Sequence, residues 1–295
     1  MCRSSPRAGL NRRALVACLL LVACLLLIGS VACGPRTVAA VPSGPGILAV
    51  IAWNMHEGRG DLPRLLADLD AGRLTDRPAA NRLLLLQEAV EGGDHDVGSI
   101  AALRGWSAFF APVRAIDRGT LGNAILSSAP LGEARRIALP QERQPRAAAV
   151  ASVRVGSQPL LVVSVHLENR VSWWKGGPLG DTARGRQAKA LIQALPAGAP
   201  GILGGDLNTW LGRREPAWRA MAERFPDTPP APDPTFRDRL VLDHLFFDLP
   251  TGWRGTTQVA GDAYGSDHLP VIGLITTDSG TSPARRAVRF ENSGR

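Results

Sequence analysis

The chain has 295 residues with 34 basic and 26 acidic side chains, a formal charge of +8, but the excess sits at its two ends. Residues 1–40 carry five arginines and no acid, residues 284–295 four arginines and one acid, and residues 41–283 carry 25 charges of each sign. A charge-balanced middle excludes a basic, nucleic-acid-coating domain, and a hydrophobic content of 45% excludes wholesale disorder.

Arg12 and Arg13 precede an apolar run, 14–32, that contains no charge and is long enough to span a bilayer as one helix. Basic residues before it and a polar domain after it predict translocation of that domain. Two fates stand level. One is a signal peptide cut after Ala40, where Val38 and Ala40 are small; the other is a retained membrane anchor. Lipidation ranks third. Leu21-Val22-Ala23-Cys24 has the shape of a lipobox, but Cys24 lies inside the apolar run, and Ser30 stands where Leu is usual ahead of Cys33. The expected location is extracytoplasmic, secreted or membrane-anchored. All four cysteines (Cys2, Cys18, Cys24, Cys33) fall in this segment, so the rest of the chain uses no disulfide.

Residues 47–53 (ILAVIAW) read as a buried strand. Asp61 then caps a helix whose Leu62, Leu65, Leu66 and Leu69 share one face. Further strands are predicted at 82–87, 109–112, 122–127, 147–155, 160–166 and 201–206, with helices over 182–195 and 215–225. A Pro-rich loop at 227–234 leads to final strands at 241–247 and 269–275. Many strands with few, widely spaced helices indicate mixed sheets rather than a doubly wound parallel one. The division is therefore 1–40 for targeting or anchoring, 41–277 for the domain, and 278–295 for a Ser/Gly/Arg-rich tail expected to be disordered.

Several strands end in polar residues: Asn54, Gln87-Glu88, His166, Asp206-Leu207-Asn208, Asp243-His244 and Ser266-Asp267-His268. Singly, each has an ordinary reading as a turn, a solvated end or a hydrogen-bonded core histidine. Together they place carboxylates and amides where one rim of a sandwich would gather them, and a hard cation needs such oxygens.

The ordered stretches WNMHEGRG (53–60), LLLLQE (83–88), GNAILS (122–127), VVSVHL (162–167), ILGGDLN (202–208), LDHLFF (242–247) and GSDHLPV (265–271) resemble the endonuclease/exonuclease/phosphatase superfamily of metal-dependent phosphoesterases. GDxN followed by SDHxP is the specific part. The resemblance implies an α/β fold, a four-layer sandwich of two packed mixed β-sheets flanked by helices. It implies Glu88 as the principal Mg2+ ligand, Asn54 positioning metal or phosphate, and Asp267 completing the site. Asp206 would orient or deprotonate the attacking water, and Asn208 would hold the scissile phosphate. His166 and His268 would donate hydrogen bonds to phosphate oxygens, with Asp243 paired to His268. Mg2+ is the implied cofactor, with Mn2+ or Ca2+ as alternatives.

An Asp–His pair keeps an imidazole cationic near neutral pH, and such donors stabilise the charge that builds on phosphoryl oxygens. No acidic partner for His166 is visible in the sequence. His244 is read as structural, facing away from Asp243; His95 and Glu57 are read as solvated loop residues. Asn123 either orients a site loop or starts a strand.

Three functions remain open at this point. One is an exported nuclease or phosphodiesterase acting on nucleic acid. A second is a phosphoesterase acting on a lipid headgroup or small phosphate ester. The third is a non-catalytic binding protein. Trp173-Trp174, flanked by Arg170 and Lys175, suits base stacking, a membrane interface through which residues 14–32 would also associate, or core capping. A monomer is expected.

Overall fold

A computed structural model describes residues 46–76, 79–93, 96–169, 182–230 and 233–277, all within the unit Ser43–Arg295. The apolar run 14–32, the tail 278–295, His95 and the Trp173-Trp174 pair lie outside the described residues. Among the described residues no helix is long and apolar enough to cross a membrane.

Eleven strands form in chain order: β1 (Ile47–Asn54), β2 (Asn81–Glu91), β3 (Ser107–Ile116), β4 (Gly119–Ser127), β5 (Leu131–Ala138), β6 (Ala147–Val155), β7 (Gln158–His166), β8 (Gly201–Asp206), β9 (Asp243–Asp248), β10 (Arg254–Val259) and β11 (Val271–Thr276). Helix α1 (Leu62–Asp70) follows β1, α2 (Val97–Leu103) follows β2, α3 (Ala183–Ala194) follows β7, and α4 (Pro216–Arg224) follows β8. One sheet has the order β10-β11-β1-β2-β4-β3 and the other β5-β6-β7-β8-β9. Both are mixed: β1 and β2 run parallel in the first, β7 and β8 in the second, and the other pairs are antiparallel.

Period-two alternation sorts the apolar residues into three cores. Val50 and Ala52 of β1, Leu83 and Leu85 of β2, Val162 of β7 and Phe247 of β9 fill the space between the sheets. Ile51, Trp53, Leu84 and Leu86 face the other way and pack against α1 and α2. Val163, Val165, Leu203 and Phe246 pack against α3 and α4. The result is the expected four-layer sandwich. The central strands are buried on both faces, which is why they read as near-continuous apolar runs.

Local signals set the helices. The Asp61 carboxylate accepts from the Arg64 amide at 3.0 Å, and the four leucines below it are fully buried, each contributing roughly 1.5–3 kcal/mol. Thr182 caps α3 by accepting from Gly185 N at 3.0 Å. In β8, a methyl group added at Gly204 would stand 2.9 Å from the Ala52 Cβ and 2.7 Å from a Leu85 methyl. Glycine there lets the sheets approach closely just before Asp206.

Two edge strands and one helix escape the sequence reading. β5 is exposed along most of its length, and β10 alternates exposed with half-buried residues, so neither carries a core pattern. α2 is seven residues long, with two of them buried. Strand ends also shift. β2 runs on to Glu91 through an irregularity between Leu86 and Ala89, and β11 begins after Pro270, which has no amide to donate.

Candidate active site

The parallel pairing of β7 with β8 places His166 level with Asp206, and antiparallel β9 places Asp243 on the other side of Asp206. In the facing sheet Asn54 is level with Gln87. The strand ends of the two sheets thus meet at one rim. Glu88 leaves the ladder at the β2 irregularity with φ +50, a left-handed conformation that a β-bulge can impose.

Asp206 Oδ2 is the meeting point. It accepts from Asn54 Nδ2 at 3.0 Å, and it lies 3.4 Å from His166 Nε2 and 3.9 Å from His268 Nε2. Its other oxygen accepts from the Asn208 backbone amide at 2.9 Å. Asn208 itself sits at φ +51, with its side-chain amide 3.1 Å from His166 Nε2 and 3.2 Å from the Leu167 carbonyl. Asp243 Oδ2 bonds His268 Nδ1 at 2.7 Å, while Asp243 Oδ1 is buried without a partner among the described residues. Glu88 uses Oε2 to accept from Glu57 N and turns Oε1 toward His166 Nδ1 at 3.7 Å. Asp267 lies farther out, one-third exposed, 3.5 Å from His56 Nδ1 and 4.0 Å from His268 Nε2.

Burial and charge set the protonation states. Burial, joined by the Asp243 charge, raises Asp206 to about 7, against the pull of His268 and its own hydrogen bonds. Burial disfavours a charged His268, but the charge and hydrogen bond of Asp243, with Asp206 and Asp267 behind them, outweigh it and raise the ring to about 10. His166 is driven well below its usual value, first by burial and then by the charges of Arg146 and His268. The structure therefore gives His166 two acidic neighbours, Glu88 and Asp206, that the sequence did not reveal, and still holds it neutral. A neutral ring carries one N–H, so it can donate from one nitrogen only.

Of the other polar residues, His244 is buried facing the helix side, 2.8 Å from Thr209 Oγ1, and burial lowers it to about 4. Asn123 donates to the Ala147 carbonyl at 2.6 Å and so steadies the start of β6. Glu57 accepts from Arg114 at 2.8 Å.

Five residues to which the sequence assigns no role support the site. Trp53 Nε1 donates to the His268 carbonyl at 3.1 Å. Thr235 Oγ1 accepts from the Leu242 and Asp243 amides, and Phe236 packs on the His268 ring at 4.8 Å. Arg146 is 8% exposed, and its Nε has no partner among the described residues. Asp206, Glu168 and Glu88 are the acids whose charges reach it. Glu168 accepts from the amides of Arg143 and Gln144, both at 3.1 Å, and thereby anchors the loop that delivers Arg146.

Two donor sets bear on a metal. Asp206, Asp243 and His268 bring ligand atoms within 4.8 Å of one another and could hold a cation. His268, however, would first have to shed a proton and leave Asp243, because an imidazolium has no lone pair to give. The second set is all oxygen: Glu88 Oε1, which accepts no hydrogen bond among the described residues, Asn54 Oδ1 and the Asp267 carboxylate. Hard oxygens, those of Glu88 and Asp267 partly exposed and that of Asn54 buried, fit a cation that keeps some of its waters.

The profile of the Endonuclease/Exonuclease/phosphatase family matches residues 51–268. Among curated proteins, none matches the chain. Solved structures do. An endonuclease/exonuclease/phosphatase from Beutenbergia cavernae shares 20% identity over 78% of this chain and 72% of its own, with a TM-score of 0.55. The human Nocturnin catalytic domain, solved with a bound sulfate anion, shares 18% over 79% and 94%, with a TM-score of 0.56. A functionally unknown conserved protein from Enterococcus faecalis shares 19% over 79% and 100%, with a TM-score of 0.58. At these identities the likeness is one of fold.

Proposed function

The chain belongs to the endonuclease/exonuclease/phosphatase family of metal-dependent phosphoester hydrolases, and from that premise we propose that it cleaves phosphodiester bonds in nucleic acid with Mg2+. The observation that carries this reading is the convergence on Asp206 Oδ2 of Asn54, His166 and His268 from three separate segments. A proton acceptor ringed by amide and imidazole donors suits the attack of water on a phosphorus centre whose oxygens gain charge.

Each residue then has a task at a stated atom. Asp206 takes a proton from water at Oδ2. Asn208 Nδ2 and the single N–H of His166 hold the scissile phosphate. His268, cationic and fixed by Asp243, donates from Nε2 to a phosphoryl oxygen. Arg146, a buried guanidinium whose Nε has no partner among the described residues, supplies positive charge for the same anion. Glu88, Asn54 and Asp267 would hold Mg2+, which when bound supplies Lewis-acid charge at the phosphoryl group. The sulfate bound by Nocturnin is a tetrahedral anion of the kind such a site would take.

The chain's location belongs to the same reading. The apolar run 14–32 behind Arg12-Arg13 supports export, with the catalytic domain outside the cytoplasm.

The test is a substrate panel on the full-length protein with Mg2+, Mn2+ or Ca2+, with and without EDTA. It includes single-stranded and supercoiled DNA, RNA, sphingomyelin and inositol phosphates. Metal-dependent cleavage of nucleic acid is expected. Release of headgroup or phosphate from lipid, with nucleic acid untouched, would overturn the substrate class.

A further inference from the structure

Few large apolar side chains are exposed among the described residues. They are Leu103, Trp210 and Leu211, the last two 49% and 41% exposed. Trp210 and Leu211 follow Asn208, the residue assigned to the scissile phosphate, with only Thr209 between. Their turn is held from below. Thr209, almost wholly buried, bonds His244 Nε2 at 2.8 Å. The Gly212 amide closes onto the Thr209 carbonyl at 2.8 Å, and the Trp210 amide onto the Asn208 carbonyl at 3.1 Å. Leu211 N donates at 3.0 Å to Glu215 Oε1, and Glu215, itself buried, is fixed through Oε2 by Arg184 Nε at 2.8 Å. The backbone of the turn is therefore pinned on both sides, while Trp210 stays half exposed.

We propose that Trp210, with Leu211 beside it, stacks on the nucleobase adjoining the scissile phosphate, so that this turn selects substrates bearing an unpaired base. The inference rests on the nucleic-acid reading above and names the part of the substrate read at that site. Three features support it. Two residues of chain span at most about 7 Å, so the Trp210 Cα lies within about one nucleotide's length of the Asn208 Cα. A preformed aromatic platform binds a base at low entropic cost, and any base offers it a π-face. The exposed Arg213 and Arg214 follow at once in a short 3-10 turn (Gly212–Arg214), where a neighbouring phosphate of the same strand would find positive charge. A pair of exposed residues makes a patch small for a bilayer contact but sufficient for one base.

The experiment compares full-length wild type, Trp210→Ala and Trp210→Phe on a dinucleotide and on its counterpart with an abasic sugar in place of one nucleoside, all with Mg2+. Trp210→Ala is expected to lower kcat/KM on the base-bearing substrate by roughly tenfold or more and to leave the abasic one unchanged, with Trp210→Phe retaining most of the activity. Equal loss on both substrates, or loss on neither, overturns stacking while leaving the nuclease reading intact. So does a Trp210→Ala protein that cleaves dinucleotides normally but no longer binds anionic phospholipid vesicles. Failure of the wild type to cut either dinucleotide overturns both readings together.

Discussion

The side-chain amide of Asn54, at the end of the first strand, donates a 3.0 Å hydrogen bond to the carboxylate of Asp206, 152 residues later and in the opposite sheet. This bond ties the two sheets together at the rim and orients the proposed base. Asp206→Asn would keep the shape and lose the proton acceptor. The expected outcome is a fall in kcat of roughly 10²–10⁴-fold with an unchanged circular dichroism spectrum. An Asp206→Asn enzyme of near-normal rate would remove Asp206 from the role of base.

How far this site was legible from sequence follows from where each signal lies. Asn54, Glu88, His166, Asp206 and His268 stand at the ends of apolar runs, where polarity is conspicuous. The strands that carry them are buried on both faces, and their patterns are strong. β5 and β10 are edge strands with little to bury, so periodicity could not mark them. The acidic neighbours of His166 come from β2 and β8 and are adjacent only in space. Arg146, in the string QERQPRAAAV, reads as an ordinary loop arginine; burial alone distinguishes it.

That burial gives Arg146 an unusual expected phenotype. Burial lowers its pKa, the charges of Asp206, Glu168 and Glu88 offset that only in part, and its Nε has no partner among the described residues. Arg146→Met keeps much of the volume and removes a buried charge whose desolvation cost the nearby carboxylates offset only in part. The variant should therefore show a Tm equal to or above wild type while kcat/KM falls about 10²-fold. Differential scanning calorimetry beside steady-state kinetics checks both halves. A lower Tm with normal kinetics would reassign Arg146 to stability.

Metal removal should separate activity from folding. The proposed ligands Glu88, Asn54 and Asp267 lie at strand ends and in a loop, outside the three hydrophobic cores. Dialysis against EDTA is expected to abolish hydrolysis, shift Tm by only a few degrees, and be reversed by added Mg2+. Glu88→Gln should raise the Mg2+ concentration needed for half-maximal rate more than it alters Tm. Unchanged activity in EDTA would exclude the metal-assisted reading.

The pair His244–Thr209 makes a pH prediction with a definite sign. His244 is lowered to about 4 by burial, against 6.5 for the exposed ring. Between those values the unfolded chain binds a proton that the folded chain does not, so stability falls as pH drops from 6.5 toward 4 and levels off below it. The magnitude is about 3 kcal/mol. His166, also depressed, acts in the same sense, whereas Asp206, raised to about 7, acts oppositely over roughly pH 4–7. His268 loses its contribution only as pH rises from 6.5 toward 10. A comparison with His244→Gln isolates the one group. Its stability deficit at pH 7 should shrink by about that amount at pH 4, measured by urea unfolding at both pH values. A deficit independent of pH would mean that the ring titrates normally.

The Arg184–Glu215 ion pair, 1% and 0% exposed with its atoms 2.7 Å apart, joins α3 to the turn that carries Trp210. Burying two charges is costly, but removing one of them leaves the other unpaired, typically a loss of 3–5 kcal/mol. Glu215→Leu should thus destabilise the protein by about that much, and Arg184→Met with Glu215→Leu together by less than either single change, giving a clear coupling energy in a double-mutant cycle. Because Glu215 Oε1 also accepts from Leu211 N, the single change should loosen the turn as well. Amide hydrogen exchange at Leu211 and Gly212 would then accelerate more than exchange in β8. Exchange that rises uniformly through both segments would show global destabilisation, with no specific role for Glu215 in holding the turn.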